Sequence, residues 1–387
     1  MRKETKMKRL LSFIIIASIL WTSLTACQDR ITIDEYDIAD APIARPLAVS
    51  FLQYHAGCLY FPADTVMRYS INSGTLTALC IDPLCFHDTT DCPFFMVGTN
   101  PEIYGTRLFY EGGNIEDYSF PWYVFDIDSG KRQLILTEDE MGSIPTLHRG
   151  RLYYRRNILR EGESAGNLAS YDHVWFCLDA ETLEKRQLCV LGRADEAELD
   201  SIVGFFGDRI LWRRGAEWYT TDLDSGDRQA FGTFKDIELN GMLCDRENGV
   251  LYCMRNTDEL LGYMGTSSGP FADKRPVYNR IPTIIRADGS ITELPDIHAT
   301  GFLEVTADYF YYYKFGEITE NTMIDGALYR CRHDGSAEEC VLTAEELNGA
   351  EIGRIAGGAV YLREDGALVK LDFETKTRDV IFTRETK

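Results

Sequence analysis

Gly150-Arg151-Leu152-Tyr153-Tyr154 decides the fold: a turn glycine feeds a short strand crowded with aromatic side chains, and the arrangement returns along the chain. It recurs as Gly57-Cys58-Leu59-Tyr60-Phe61, Arg107-Leu108-Phe109-Tyr110, Arg209-Ile210-Leu211-Trp212, Gly249-Val250-Leu251-Tyr252, Tyr309-Phe310-Tyr311-Tyr312 and Ala359-Val360-Tyr361-Leu362, seven copies in all. Each is paired with a hairpin whose tip carries Asp or Asn with Ser, Gly or Thr, residues that accept the left-handed backbone of a tight turn. The tips are Asn72-Ser73-Gly74, Asp128-Ser129-Gly130, Asp179–Glu184, Asp224-Ser225-Gly226, Asp288-Gly289, Asp334-Gly335 and Asp372–Lys376. Seven units over residues 47–383 give roughly 48 residues each, the length of a four-stranded propeller blade and too long for one coil of a β-helix. The expectation is an all-β chain, a β-propeller of seven four-stranded blades; one degenerate repeat would make it six and one hidden repeat eight.

Composition agrees. Aromatics are 12% of the 387 residues, and few stretches carry the 3.6-residue apolar period of a helix. Outside the propeller, Arg2, Lys3, Lys6, Lys8 and Arg9 precede an apolar run from Leu10 to Leu24, too short for a comfortable membrane span. Leu24-Thr25-Ala26-Cys27 then resembles a lipobox, which implies diacylglycerol on the Cys27 sulfur and a protein held at the outer face of a cell membrane. The alternative is an ordinary cleaved signal with an incidental cysteine; Met7-Lys8-Arg9-Leu10 makes a complete signal start by itself. The division is a signal at 1–26, a lipidated Cys27 with a tether over 27–46, and the propeller over 47–387. The signal holds five of the 40 Lys and Arg and one of the 61 Asp and Glu, leaving 35 bases against 60 acids. Such a surface repels nucleic acid and anionic lipid, so the lipid on Cys27 is expected to hold the membrane contact.

Antiparallel strands A to D of a blade alternate direction, so A–B and C–D turns share one face, and B–C and D–A connections share the other. The tight Asp-led hairpins are C–D turns. The long insertions Glu111–Pro121, Arg156–Asp172, Asn256–Pro282 and Lys314–Gly326 are B–C connections, and Cys80–Pro93 is a D–A connection. All the elaboration falls on one face, which is therefore the expected binding surface. Its candidate contacts are Phe94, Phe95, Tyr118, Phe120, Trp122, Tyr171, Tyr263, Phe271, Tyr278 and Phe315, each weighed against packing beneath its own loop.

Cys80, Cys85, His87 and Cys92 put three thiols and an imidazole within thirteen residues, a donor set that suits a structural Zn²⁺. A disulfide between two of the thiols, or three reduced thiols, stay open as alternatives. Cys177 with Cys189, Cys244 with Cys253, and Cys331 with Cys340 each bracket a hairpin and are expected as disulfides, with buried free thiols as the alternative. Gly265-Thr266-Ser267-Ser268-Gly269 has the letters of a nucleophile elbow but sits in a loop rather than between a strand and a helix. Asp126/Asp128 and Asp222/Asp224/Asp227 echo calcium-loop spacing, yet they recur as turn punctuation and lack the downstream Glu. His55, His148, His173, His298 and His333 form no ligand or triad pattern and are read as structural.

With its lipobox, Tyr-rich blades and the Cys80, Cys85, His87, Cys92 loop after the first blade, the chain resembles uncharacterised surface lipoproteins of Gram-positive gut-type anaerobes. Their propellers are similar to the low-density-lipoprotein-receptor (YWTD) and TolB types. Leu59-Tyr60-Phe61 followed by Met67-Arg68-Tyr69 is a loose echo of the YWTD repeat without its Trp-Thr-Asp. The resemblance implies no catalytic residues. The expectation is a monomeric, lipid-anchored propeller that binds a protein or glycan partner. The alternatives are a glycosidase or lyase using carboxylates in the central channel, and a purely structural envelope component.

Overall fold

Strand Arg151–Leu159 shows why the aromatic runs set the architecture: Leu152, Tyr153 and Tyr154 are consecutive, and all are fully buried. Successive side chains of a strand point to opposite faces, so consecutive burial means that both faces of the sheet are covered. Propeller blades stacked around a ring meet that condition. The glycine ahead of the run is required twice. Gly150 has φ +71°, and a Cβ there would stand 2.9 Å from the Tyr104 ring of the preceding blade.

The computed structural model describes residues 38, 40–46, 51–63, 65–80, 82, 85, 92–94, 101–113, 119–137, 140, 143–164, 167–193, 201–265, 274–299, 301–314 and 326–383. They form seven antiparallel blades in chain order, each with four strands hydrogen-bonded in sequence. The blades span 53–78, 102–136, 146–193, 201–233, 237–293, 301–342 and 351–383. Strand A lines the central channel, strand B carries the aromatic run, and strands C and D follow. The seven Asp- or Asn-tipped hairpins are all C–D turns. Asp126, Asp179, Asp222, Asp288, Asp334 and Asp372 each accept backbone N–H bonds from two or three residues further on. The recurring aspartates are thus turn residues, which answers the calcium-like spacing.

Seven apolar clusters form the core, each spanning two consecutive blades. Tyr60 of blade 1 meets Tyr110 of blade 2, Phe109 meets Tyr154, Tyr153 meets Trp212, and Leu211 meets Leu251. Tyr252 then meets Phe310, and Tyr311 meets Val360. The seventh cluster closes the ring: Leu52, Leu59, Phe61 and Tyr69 of blade 1 pack on Ala356, Ala359, Tyr361 and Leu368 of blade 7.

Two findings adjust the expected layout. Residues 43–46, expected in the tether, belong to the propeller. Arg45–Pro46 adds a strand beside strand A of blade 5, opposite Cys244 and Leu243, and the Ile43 N–H donates to the Val305 carbonyl at 2.9 Å. Ala44, 1% exposed, packs among blades 5 and 6. This short stretch therefore runs down the channel from the A–B face. Second, two of the four insertions are ribbons rather than loops. Strands Arg151–Leu159 and Tyr171–Asp179 pair along nine residues, and Val250–Gly265 pairs with Lys274–Arg286 well past the blade's edge.

Candidate functional site

Among the described residues, the long ribbon of blade 5 dominates the B–C face. Its root is pinned by polar contacts: Asn279 is 5% exposed and its amide meets Glu259 Oε2 at 2.7 Å and His298 Nδ1 at 2.8 Å, while Thr257 Oγ1 donates to the Asn279 carbonyl. Beyond that root the register slips between Asn256 and Leu260 and again between Leu260 and Gly262. Such bulges re-aim side chains. Here they leave adjacent Leu260 and Leu261 both exposed, with Tyr278 opposite Leu260 and Tyr263 two residues on.

The ten candidate contacts separate by burial. Phe120, Tyr263 and Tyr278 are exposed at 45%, 49% and 39%, and Tyr171 is half-buried. Phe94 and Trp122 are corrected to core residues. Phe94 stacks edge-on to Phe125 with ring centroids 4.5 Å apart, and Trp122 fills the cluster between blades 2 and 3. Strand position explains both, since Trp122 starts strand C and Phe94 sits in a turn folded under blade 2. Phe95, Tyr118, Phe271 and Phe315 lie outside the described residues, as do Cys27 and His87. Leu260 and Leu261 were not singled out in the sequence; an apolar pair inside a charged, alternating segment was the available signal.

The opposite mouth of the channel holds a cavity of about 400 Å³ among the A–B turns, lined in part by His55, Tyr104, His148, Arg149, Arg246 and Arg354. Arg246 of blade 5 donates to the Leu147 carbonyl of blade 3, stands 3.8 Å from Glu102 of blade 2, and covers the Phe205 ring. Arg149 bridges Asp208 and Glu247. His148 donates from Nε2 to the Gly207 carbonyl at 2.7 Å and stacks on Phe205; burial pushes its pKa down to about 4, so it is neutral. This mouth is latched by charge-assisted bonds across blades. Deeper, Arg354 Nη1 lies 3.1 Å from Glu304 Oε2 and 3.5 Å from Oε1, with hydrogen-bond geometry met toward Oε1. Burial pushes the Glu304 carboxyl up to about 7 against the opposing pull of Arg354. Sequence reading missed this pair. Glu304, Arg354 and Gly204 each follow a bulge in strand A, and only the aligned repeats bring out that equivalence.

The described cysteines are all free thiols, which corrects the three expected disulfides. Register explains the outcome. Arg330 faces Glu339 and Tyr329 faces Cys340, so Cys331 is diagonal to Cys340 rather than opposite it. Cys244 faces Leu251 while Cys253 faces Thr283, whose carbonyl accepts from its thiol at 3.3 Å. Cys177 faces Arg186, and Cys189 faces Trp175. Cys80, Cys85 and Cys92 differ from these pairs: their three sulfurs lie within 4.8 Å of one another. Burial pushes the Cys80 thiol up and the Cys92 thiol up to about 12.

No family model matches the chain, and no curated protein matches it. Solved structures do. An acylaminoacyl peptidase from Pyrococcus horikoshii superposes with TM-score 0.50 at 10% identity, covering 87% of this chain and 52% of the peptidase. A prolyl endopeptidase gives TM-score 0.50 at 12% identity, covering 86% and 49%. TolB from Acinetobacter baumannii gives TM-score 0.39 at 11% identity, covering 71% and 59%. The chain thus spans about half the length of the two peptidases. What it shares with them is the propeller fold.

Proposed function

We propose that this chain is a lipid-anchored extracytoplasmic propeller that binds a protein or glycan through its B–C face. The observation that carries the reading is the cluster of exposed apolar side chains, Leu260, Leu261, Tyr263 and Tyr278, on a ribbon whose root is held by hydrogen bonds to the buried Asn279. A rigid platform presenting aromatic side chains is what recognition of a protein patch or a sugar ring requires. The positions of Ile38 and of residues 40–46 support the same polarity. A Cβ at Gly357, in the A–B turn of blade 7, would meet Ile38, so the chain reaches the channel from the A–B face. Ile38 lies eleven residues on from Cys27, a reach of at most about 40 Å, so an anchor on Cys27 would place the bilayer within that distance of the A–B mouth.

A glycosidase in the channel calls for two converging carboxylates. Among the described residues lining the cavity the acid is Glu247, and Arg149 holds it. No described residue is given a catalytic role.

Two measurements test the proposal. Metabolic labelling with an alkyne fatty acid should mark the wild-type chain and not Cys27→Ser; equal labelling removes the anchor. The secreted Cys27→Ser chain should capture a ligand from a glycan array or from a panel of purified surface proteins. Adding Phe120→Ala, Tyr263→Ala and Tyr278→Ala should abolish the capture. Capture that survives the triple substitution moves the site off this face.

A further inference from the structure

We infer that Cys80, Cys85 and Cys92 bind one divalent zinc ion as thiolates, pinning the connection between blades 1 and 2. Among the described residues these form the one group of three His, Cys, Asp or Glu side chains whose donor atoms converge, with sulfurs within 4.8 Å of one another. Zn–S bonds of about 2.3 Å place thiolates roughly 3.8 Å apart on a tetrahedron, so side-chain rotation of about an ångström completes the set.

The convergence is not a by-product of nearness in sequence. Cys80 follows the outer strand of blade 1, while Cys92 is fixed from blade 2, where the Pro93 carbonyl accepts from the Tyr110 hydroxyl and from Arg132 at 3.3 Å. Cys85 is brought back by its own N–H donating to the Asp82 carbonyl at 3.1 Å.

Two backbone amides also point at the sulfurs, each from two residues further on. The Phe94 N–H donates to Cys92 Sγ at 3.4 Å, and the Asp82 N–H donates to Cys80. Such donors favour the charged sulfur that a metal needs and that the surrounding apolar cluster of Tyr60, Phe94 and Phe125 opposes. Among the other described cysteines, Cys177, Cys244, Cys253 and Cys331 lie in blade cores, Cys58 accepts an arginine N–H, and Cys340 is exposed. A disulfide would use two of the three sulfurs and give no reason for the third. An all-sulfur donor set suits zinc, which takes four-coordinate sites without redox chemistry. Each ligating thiol gives up its proton, so uptake releases protons to solvent and strengthens as pH rises.

This inference is independent of the reading of the B–C face. The test uses the full chain bearing Cys27→Ser, purified reduced and without chelator, then exposed to Zn²⁺ alone. Native mass spectrometry should show one zinc per chain, lost on denaturation with all thiols intact, and occupancy should fall by about tenfold or more in Cys85→Ser. Cys85 is half-buried at the margin of the apolar cluster, so its replacement disturbs the core less than that of the buried Cys80 or Cys92. Co²⁺ in place of zinc should give the visible absorption and sulfur-to-metal charge transfer of a tetrahedral thiolate site, a readout that needs no variant. An unloaded wild-type chain, zinc retained undiminished by Cys85→Ser, cobalt without charge transfer, or loss of two protons as a disulfide with no adduct would each overturn the assignment.

Discussion

A buried Glu304 with its pKa raised to about 7 and a buried His148 with its pKa lowered to about 4 pull the pH dependence of stability in opposite directions. Between its ordinary value of 4.5 and about 7, only the folded state keeps the Glu304 proton, so stability falls as pH rises, by up to about 1.4 kcal/mol per pH unit. Between about 4 and 6.5 only the unfolded state protonates His148, so stability rises with pH at a similar rate. The two nearly cancel where the windows overlap. Glu304→Gln removes the falling limb, so its stability relative to wild type should climb from pH 4.5 to 7, whatever offset the stranded Arg354 adds. Urea unfolding of both proteins across that range checks it, and a constant difference counts against the buried pair. A second prediction concerns a hydroxyl. Tyr361 Oη is buried without a hydrogen-bond partner, so Tyr361→Phe should be neutral or stabilising by up to about 1 kcal/mol in thermal or urea unfolding. At this scale the turn aspartates were legible because an Asx turn is written within three residues. Glu304 and Arg354 were not, because fifty residues separate them and two bulges align them.

At the level of elements, hairpins and aromatic strands could be read locally, while the bulges that steer them could not. Gly204 sits at such a bulge, and a Cβ there would come 2.6 Å from Cys244 Sγ on blade 5. Gly204→Ala should cost about 1–3 kcal/mol, and Cys244→Ala should relieve part of the loss, giving a favourable coupling in a double-mutant cycle. Additive losses would mean that the two strands do not meet there. The blade 5 ribbon was read from sequence as a loop because charged and polar residues interrupt its alternation, as in Asn256-Thr257-Asp258-Glu259. Its root depends on Asn279, which bonds Glu259 and His298. Asn279→Ala should cost about 1–3 kcal/mol and speed amide exchange along residues 257–263 while blade 7 keeps its protection. Unchanged exchange there would place the ribbon's support elsewhere.

Across the whole molecule, seven blades are joined by seven apolar interfaces, and six of these also have a covalent connection between their blades. The seventh does not. Blade 1 is built from residues 53–78 and blade 7 from 351–383, and among the described residues neither lends the other a strand. The added strand at Arg45–Pro46 braces blade 5 instead. Closure of the ring therefore rests on side-chain packing, with Tyr69 against Tyr361 at 6.1 Å and Phe61 against Phe382 at 5.7 Å. Such a seam was illegible in sequence, where equivalent repeats look alike whether or not a peptide joins them. Tyr361→Ala and its counterpart Tyr153→Ala both empty a fully buried site and should each cost about 3–5 kcal/mol. Their consequences for exchange should differ. Opening between blades 3 and 4 is limited by the chain that links them, whereas among the described residues no chain segment runs directly from blade 7 to blade 1. Hydrogen exchange should therefore quicken in blades 1 and 7 together for Tyr361→Ala and stay local for Tyr153→Ala. Equal spread in both variants would mean that the ring holds its seam as firmly as any other interface, and that closure is shared by all seven blades.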